Sequence, residues 1–104
     1  MSIRHLDSLF DPRSVAVVGA TDRAGSVGAT VWQNLRSGGF TGPLWPVNPG
    51  RRSVGGEPAF ADVALLPAAP ELAVVCTPPA AVAGVIAALG AKGTRAAVVL
   101  TAGQ

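Results

Sequence analysis

The stretch VAVVGATDRAGSVG, residues 15–28, limits the possible folds of this chain more than any other segment. It begins with a continuous run of β-branched residues and alanine, which predicts a strand buried on both faces, as in a parallel sheet. A turn with Gly19, Gly25 and Gly28 follows, and Ser26 within it is placed to cap a helix. A buried strand that enters a helix through a glycine-rich turn is the opening of an α/β fold.

The first helix is predicted from this cap to Gly38-Gly39, where paired glycines end it. Val27, Val31 and Leu35 repeat at four-residue spacing, which predicts the buried stripe of this helix. Trp32 falls off that stripe, so we expect it to be partly exposed or to pack on a domain outside the chain.

The rest of the chain continues the alternation of strands and helices. Short apolar runs predict strands at residues 44–48 (LWPVN), 72–76 (LAVVC) and 96–100 (AAVVL). Residues 49–56 are predicted as a loop, and residues 57–67 as a brief strand with a helical turn.

A second helix is predicted after the strand at 72–76. Thr77 is placed to cap it and the prolines that follow suit its first turn. Its apolar face is predicted from the spacing i, i+3, i+4 and i+7, which is occupied by Val82, Val85, Ile86 and Leu89. A short helix is also predicted over the first dozen residues, ending at Asp11-Pro12.

This order predicts an α/β fold, a Rossmann-like parallel sheet with helices on both faces. The 104 residues are enough for one domain, 1–104. The sequence stops just after a strand, where a doubly wound fold would enter its next helix. We therefore expect an N-terminal fragment of a longer multidomain protein, truncated after the fourth main strand.

The composition of the chain indicates which partners and which cellular compartment to expect. The chain is 49% hydrophobic and 13% charged with a net charge of +2, so it gives little reason to expect a nucleic-acid partner. Its single cysteine, Cys76, permits no internal disulfide and favours a reducing compartment and a place in the core. No signal peptide is recognisable, and the longest apolar run is too short for a bilayer. We expect a cytoplasmic protein that does not bind membranes.

The glycine turn is suited to hold an anion. Ligands of open α/β sheets bind outside the carboxyl ends of the strands, and here those ends carry no Asp, Glu, Lys or His for acid–base work. Backbone N–H groups around Ser26 to Gly28 would point at a phosphate at the helix N-terminus. The spacing G-x5-G-x2-G is longer than the dinucleotide fingerprint, so a tight turn without a ligand stays open as an alternative.

The end of the second strand separates ligand classes. An NAD site places an Asp or Glu there to hold the ribose 2′-hydroxyl, whereas this chain has Asn48, followed by Pro49, Gly50 and the pair Arg51-Arg52. Arginines suit an additional phosphate on the ribose. NADP carries that phosphate at the 2′ position and coenzyme A (CoA) at the 3′ position, and residue chemistry alone does not distinguish them.

Four segments, taken in order, carry a family resemblance. They are DPRSVAVVGATDRAGSVGATVWQNLRSGGFTGPLWPVNPG, GEPAFADVALLP, PELAVVCTPPAAV and GTRAAVVLTAG. Together they resemble the N-terminal CoA-binding domain of the NDP-forming acyl-CoA synthetases. The same domain begins the succinyl-CoA synthetase α subunit and some bacterial fusions with a lysine acetyltransferase domain. The resemblance runs from about residue 6 to the end, and VAVVGAT, the PVNP turn and the strand–TPP–helix are its most specific parts.

The resemblance implies roles for particular residues. Those facing the CoA diphosphate would be Gly19, Thr21, Asp22, Arg23, Ser26, Val27 and Gly28. Asn48 and Pro49 would flank the 3′-phospho-ADP part together with Arg51, which stands in for the lysine that many relatives have directly after PVNP. Thr77 and Pro78 would line the adenine or pantetheine path, and Thr101 with the two residues after it would form its floor.

The resemblance also implies a function. The domain would bind CoA or acyl-CoA as its cofactor and, alone, would not catalyse. Its parent would be an acid–thiol ligase, an ADP- or GDP-forming acyl-CoA synthetase, or the acetyltransferase fusion. The expected partners are an ATP-grasp region and a domain with a phosphorylated histidine, which His5 does not match. An NADP-binding fragment of an oxidoreductase and a CoA- or nucleotide-sensing regulatory domain are the alternatives.

Overall fold

The computed structural model describes residues 11–100, which form a parallel four-stranded sheet with two helices and a small hairpin. The elements of the sheet layer are β1 (Val15–Val18), α1 (Val27–Ser37), β2 (Leu44–Val47), β5 (Leu72–Val75), α2 (Pro79–Lys92) and β6 (Ala96–Val99). Between β2 and β5 lie β3 (Ser53–Val54), β4 (Glu57–Pro58) and a 3₁₀ turn (Val63–Leu65). The predictions for the first ten residues and for Thr101 to Gly103 lie outside the described part.

The sheet order is β2-β1-β5-β6, and every neighbouring pair is parallel. Strand β1 lies between β2 and β5, with Val15 in register with Leu44 on one side and Leu72 on the other. All four residues of β1 and of β5 are buried, because helices cover both faces of the sheet. The predicted Rossmann-like parallel fold is confirmed.

The two faces of the sheet form separate halves of the core. On one face Val15 and Val17 pack with Trp32 of α1, and on the other Ala16 and Val18 pack with Leu89 of α2. This division follows from the alternation of side chains along a strand. Pro46 in β2 is tolerated because its missing N–H would point away from β1, towards Phe60, whose own N–H donates to the Pro46 carbonyl.

The predicted stripe of α1 was wrong about which residues are most deeply buried. Gly28 and Trp32 are the buried residues of this helix, whereas Val31 and Leu35 flank them and are only partly buried. Trp32 is 1% exposed and therefore belongs to the core of this domain rather than to a contact with another. The indole fits because the turn at Gly55 has no side chain, and a Cβ there would lie 2.7 Å from Trp32 Nε1.

Helix α2 differs from its prediction at both its start and its outer face. Its N-cap is Pro78, which provides no side-chain hydrogen bond, so the prediction that Thr77 caps the helix was wrong. Val82, Val85 and Leu89 face the core as expected, but Ile86 is 39% exposed. The helix ends at Gly93, which adopts φ +103° and donates its N–H to the Leu89 carbonyl.

The segment 49–56, predicted as a loop, contains part of an antiparallel hairpin. Ser53 and Val54 pair with Pro58 and Glu57 across a turn of two glycines, Gly55 and Gly56, both with positive φ. Val54 is fully buried against the α1 side of the sheet, which holds the hairpin over that helix. The strands of this hairpin were not predicted, because two residues are too few to show the alternation of apolar and polar residues that marks a strand.

Candidate functional site

A cavity of about 540 Å³ opens at the carboxyl ends of β1, β2 and β5. It lies where ligands bind in open α/β sheets. Its lining comes from the glycine turn (residues 19–28), from the arginine turn (residues 48–52) and from the start of α2. The lining residues are Gly19, Thr21, Arg23, Gly25, Ser26, Val27, Gly28, Asn48, Pro49, Arg51, Cys76, Thr77, Pro78 and Ala81.

Two glycines let the backbone close tightly around this cavity. Gly19 has φ +93°, and a Cβ there would lie 2.9 Å from the carbonyl carbon of Cys76. A Cβ on Gly28 would overlap the carbonyl oxygen of Gly19. Helix α1 can therefore begin directly against the end of β1, which brings its N-terminus to the cavity.

The hydroxyls of the glycine turn organise the helix N-terminus. Ser26 Oγ accepts from the Ala29 N–H at 3.2 Å and donates to the Arg23 carbonyl at 2.7 Å, so the predicted N-cap is confirmed. Thr21 Oγ1 accepts from the Arg23 N–H at 3.1 Å. The N–H groups of Val27 and Gly28 donate to no acceptor within residues 11–100. They are therefore available to an anion in the cavity.

The arginine turn is attached to the glycine turn through Asn48. Its Nδ2 donates to the Ala20 carbonyl at 2.8 Å, and its Oδ1 accepts from the Gly50 N–H at 2.8 Å. Asn48 thus occupies the place of a ribose-binding carboxylate, but it uses its amide to shape the two turns. Arg51, in the same turn, lines the cavity, whereas Arg52 does not.

The charge of the cavity is positive. Arg23 and Arg51 are the charged residues that line it, and both are exposed to solvent. No carboxylate is among its lining residues. Guanidinium groups and free backbone N–H groups together suit a ligand with more than one phosphate.

Cys76 and Thr77 form the wall at the end of β5. Partial burial raises the pKa of the Cys76 thiol to about 11, so the sulfur is protonated at neutral pH. Thr77 Oγ1 is buried and has no hydrogen-bond partner in the described part of the chain. A second, mostly apolar cavity of about 400 Å³ adjoins this wall and shares Pro49, Thr77 and Ala81 with the first.

The structure brings together eleven of the thirteen residues singled out from the sequence. Asp22 is not among the lining residues, because its Oδ1 accepts from the Gly55 N–H at 2.7 Å. Thr101 lies outside the described residues. Gly25, Cys76 and Ala81 also line the cavity but were not among the thirteen, and a small apolar residue such as Ala81 offers no group that would mark it in the sequence.

Two further observations concern metal binding and membrane spanning. Among residues 11–100, no group of three His, Cys, Asp or Glu side chains is placed to hold a metal ion. No helix in the same part of the chain is long and apolar enough to cross a membrane. A parallel sheet with a capped glycine turn and a cationic cavity at its carboxyl edge defines a Rossmann-like domain whose cavity is suited to a phosphorylated ligand.

Comparison with known proteins identifies the family. The family model described as "CoA binding domain" matches residues 13–104. A trans-feruloyl-CoA synthase of an unknown prokaryotic organism is 39% identical over 98% of this chain, which spans 14% of that protein. An ADP-forming acetate–CoA ligase of Archaeoglobus fulgidus is 37% identical over 94% of this chain, again 14% of the relative.

A solved structure of an acetyl-coenzyme A synthetase contains a domain with the same fold. The acetyl-coenzyme A synthetase 1 of Candidatus Korarchaeum cryptofilum, described as dinucleotide forming and solved with phosphate and ADP, superposes with a TM-score of 0.88. It is 36% identical, and the match covers 95% of this chain and 21% of that one. The chain belongs to the CoA-binding domain family, and its cofactor is coenzyme A. The NADP-binding alternative is not favoured.

Proposed function

We propose that this chain binds CoA or acyl-CoA in the cavity at the carboxyl edge of its sheet, as the CoA-binding domain of a longer NDP-forming acyl-CoA synthetase. The observation that carries the proposal is the pairing of free N–H groups at Val27 and Gly28 with Arg51 on one cavity that no carboxylate lines. The first feature suits a diphosphate and the second a phosphate on the ribose. CoA carries both.

In this arrangement the glycine turn holds the diphosphate. Gly19, Thr21, Arg23, Ser26, Val27 and Gly28 all line that part of the cavity. Backbone N–H groups and the Arg23 guanidinium would donate to the phosphate oxygens, while the Thr21 hydroxyl, which already accepts from Arg23, keeps its own proton to donate.

The arginine turn holds the ribose phosphate. Arg51 would donate to it, and Asn48 with Pro49 would form the wall beside the sugar. Thr77 and Pro78 would line the path of the adenine or the pantetheine, where the unpartnered Thr77 hydroxyl is an available polar group. The same proposal puts Thr101 along the floor of that path.

The domain would bind the thiol substrate, and the chemistry would take place elsewhere. The Cys76 thiol stays protonated at neutral pH, and no other titratable side chain except the two arginines lines the cavity. We therefore propose that the parent is an acid–thiol ligase whose nucleotide and phosphohistidine chemistry belongs to other domains or subunits. The relatives named above are a synthase and a ligase, which supports a synthetase over an acetyltransferase fusion.

The outer surface of α2 and β6 supports the proposal of further domains. Ile86, Val99 and Leu100 are between 36% and 41% exposed, and β6 is an edge strand of the sheet formed by residues 11–100. Exposed apolar groups beside an unpaired strand edge are usually covered in a stable protein. We propose that the longer polypeptide covers this face. A cytoplasmic location belongs to the same proposal and is supported by the lone cysteine.

The proposal is tested by isothermal titration of the 104-residue chain and two arginine variants with CoA. Arg51→Ala should weaken CoA binding about tenfold, because a charge-assisted hydrogen bond to a phosphate is lost. Arg52→Ala is the matched control: it removes the same charge from the adjacent residue, whose side chain does not line the cavity, and should leave the Kd within about twofold.

Equal weakening by both variants would mean that only the general positive charge of the turn matters. Binding of NADP in preference to CoA would contradict the assigned ligand. Formation of NTP from acyl-CoA by this chain alone would contradict the proposal that catalysis takes place in other domains or subunits.

A further inference from the structure

The glycine turn and the arginine turn follow different strands, yet a diphosphate and a ribose phosphate on one ligand require a fixed spacing between them. Two side chains connect the segments. Asn48 bonds to the Ala20 carbonyl at the start of the arginine turn, and Asp22 bonds to the Gly55 N–H just beyond its end. Arg51 lies between these two attachments.

The attachment through Asp22 acts on the hairpin formed by β3 and β4. Gly55, at the tip of the hairpin, is held through both its backbone N–H and its backbone carbonyl. Its N–H donates to Asp22 Oδ1 at 2.7 Å, and its carbonyl accepts from Arg36 NH1 at 2.7 Å. Arg36 also lies 3.7 Å from the Glu57 carboxylate and stacks over the Trp32 ring.

The hairpin in turn determines where the arginine turn ends. Ser53, the first residue of β3, follows Arg52 directly, and the Arg52 carbonyl accepts from the Ala59 N–H at 2.9 Å. At the other end, the Arg51 N–H donates to the Asn48 carbonyl at 3.3 Å. A shift of the hairpin would therefore move the backbone that carries the Arg51 guanidinium.

Asp22 itself is poorly suited to touch the ligand. It does not line the cavity, and a carboxylate close to a diphosphate would repel it. Its hydrogen bond joins residues 33 positions apart in the sequence, one in the glycine turn and one in the hairpin. The residue therefore links two segments instead of adding a contact to the anion.

We propose that Asp22 is a positioning residue which, through Gly55 and the hairpin, holds Arg51 at the distance from the glycine turn that the 3′-phosphate of CoA requires. This inference rests on the proposed function. It makes Asp22 a determinant of specificity for a ribose phosphate, although the carboxylate does not contact that phosphate.

The test measures the Kd of CoA and of 3′-dephospho-CoA and compares their ratio among variants. In the unaltered chain the ratio should favour CoA about tenfold, as expected for one charge-assisted contact. Asp22→Ala should lower the ratio to within about threefold of unity by weakening CoA alone. The affinity for 3′-dephospho-CoA should stay nearly unchanged.

Three comparisons make the result specific. Asp22→Asn keeps an oxygen that can accept from Gly55 and should keep the ratio. Asp11→Ala removes a carboxylate from the opposite edge of the sheet, before β1, and should also keep it. In an Arg51→Ala background, Asp22→Ala should have no further effect on the ratio, because the group it positions is gone.

Equal weakening of both ligands by Asp22→Ala would overturn the inference, since it would indicate general loosening of the site. Tighter CoA binding would also overturn it, because Asp22 would then act as a repelling charge. If Asp22→Ala does not fold, Asp22→Ser takes its place, because its shorter side chain also withdraws the carboxylate oxygen from the Gly55 N–H, and an unchanged ratio in that variant would contradict the inference. Failure of the unaltered chain to bind either ligand would contradict the proposed function itself.

Discussion

Gly28 is the residue at which helix α1 passes closest to the end of β1. A methyl group there would overlap the Gly19 carbonyl oxygen, which is backbone and cannot rotate away. We expect Gly28→Ala to lower the free energy of unfolding by about 1–3 kcal/mol, the usual cost of overpacking. Chemical denaturation of the 104-residue chain measures the change.

Gly84 provides the matched control for that substitution, because it also lies within a helix. No atom lies within 4 Å of a Cβ built on it. Gly84→Ala should therefore stabilise the chain by about 0.5–1 kcal/mol through the greater helix propensity of alanine. Equal effects of the two substitutions would show that the approach of α1 to Gly19 is not a tight contact.

The Cys76 thiol gives a prediction about pH. Burial raises the pKa of Cys76 to about 11, so at pH 7–9 the folded chain holds little of the reactive thiolate. Alkylation by iodoacetamide at pH 8 should be at least about tenfold slower in the folded chain than in the urea-unfolded chain, where the thiol pKa is about 8.5.

The raised pKa of Cys76 also makes the free energy of unfolding depend on pH. Between the unfolded pKa and about 11 only the unfolded chain releases this proton, so the free energy of unfolding should fall as pH rises through that window. Cys76→Ala should remove this part of the fall. Equal alkylation rates in the folded and unfolded chains would contradict the partial burial of the sulfur.

At the scale of elements, the start of α1 depends on Ser26. Its hydroxyl accepts from the Ala29 N–H, so Ser26→Ala should reduce the free energy of unfolding by about 1 kcal/mol. Ser37→Ala is the control, since that hydroxyl only bonds back to the Gln33 carbonyl at the exposed end of the helix, and the change should stay within about 0.5 kcal/mol. Equal losses would argue against a capping role.

An element could be predicted where its structure follows from its own sequence pattern, and could not where it depends on tertiary packing. Strands β1 and β5 are continuous apolar runs rich in valine, and both were predicted to within one residue at their ends. The deep burial of Trp32 was not predicted, because it depends in part on the hairpin, whose Val54 and Gly55 pack on the α1 side of the sheet. That hairpin has strands of two residues, too short to leave a pattern in the sequence.

In the site, too, local features could be predicted from the sequence and tertiary contacts could not. The glycine turn could be located because Gly19, Ser26 and Gly28 each meet a local backbone requirement, a positive φ, a cap or a close approach. The partner of Asp22 could not, because a hydrogen bond to Gly55 depends on how the hairpin is placed in three dimensions. Thr77 was wrongly given the cap because Pro78 and Pro79 also satisfy the start of a helix by their backbone shape.

At the scale of the whole molecule, the two helices leave the sheet unequally covered. Helix α1 is overlaid by the hairpin, whereas α2 exposes Ile86, and β6, an edge strand of the sheet within residues 11–100, exposes Val99. We expect the isolated chain to self-associate at high concentration through this face. Ile86→Lys should reduce that association in sedimentation equilibrium, because a charge opposes apolar contact.

Gln33→Lys adds the same charge to the exposed side of α1 and is the control for that experiment. It should leave self-association unchanged, and both substitutions should alter the free energy of unfolding by no more than about 0.5 kcal/mol. Equal effects of the two lysines on association would mean that net charge, and not the α2 face, governs contacts between molecules.

The central claim is that one cavity reads both the diphosphate and the ribose 3′-phosphate of CoA. The most direct test is isothermal titration of the unaltered 104-residue chain with CoA and 3′-dephospho-CoA under the same salt conditions. We predict saturable binding of CoA, and a Kd about tenfold weaker for 3′-dephospho-CoA. Equal affinity for the two ligands, or no binding by a chain shown to be folded, would contradict the claim.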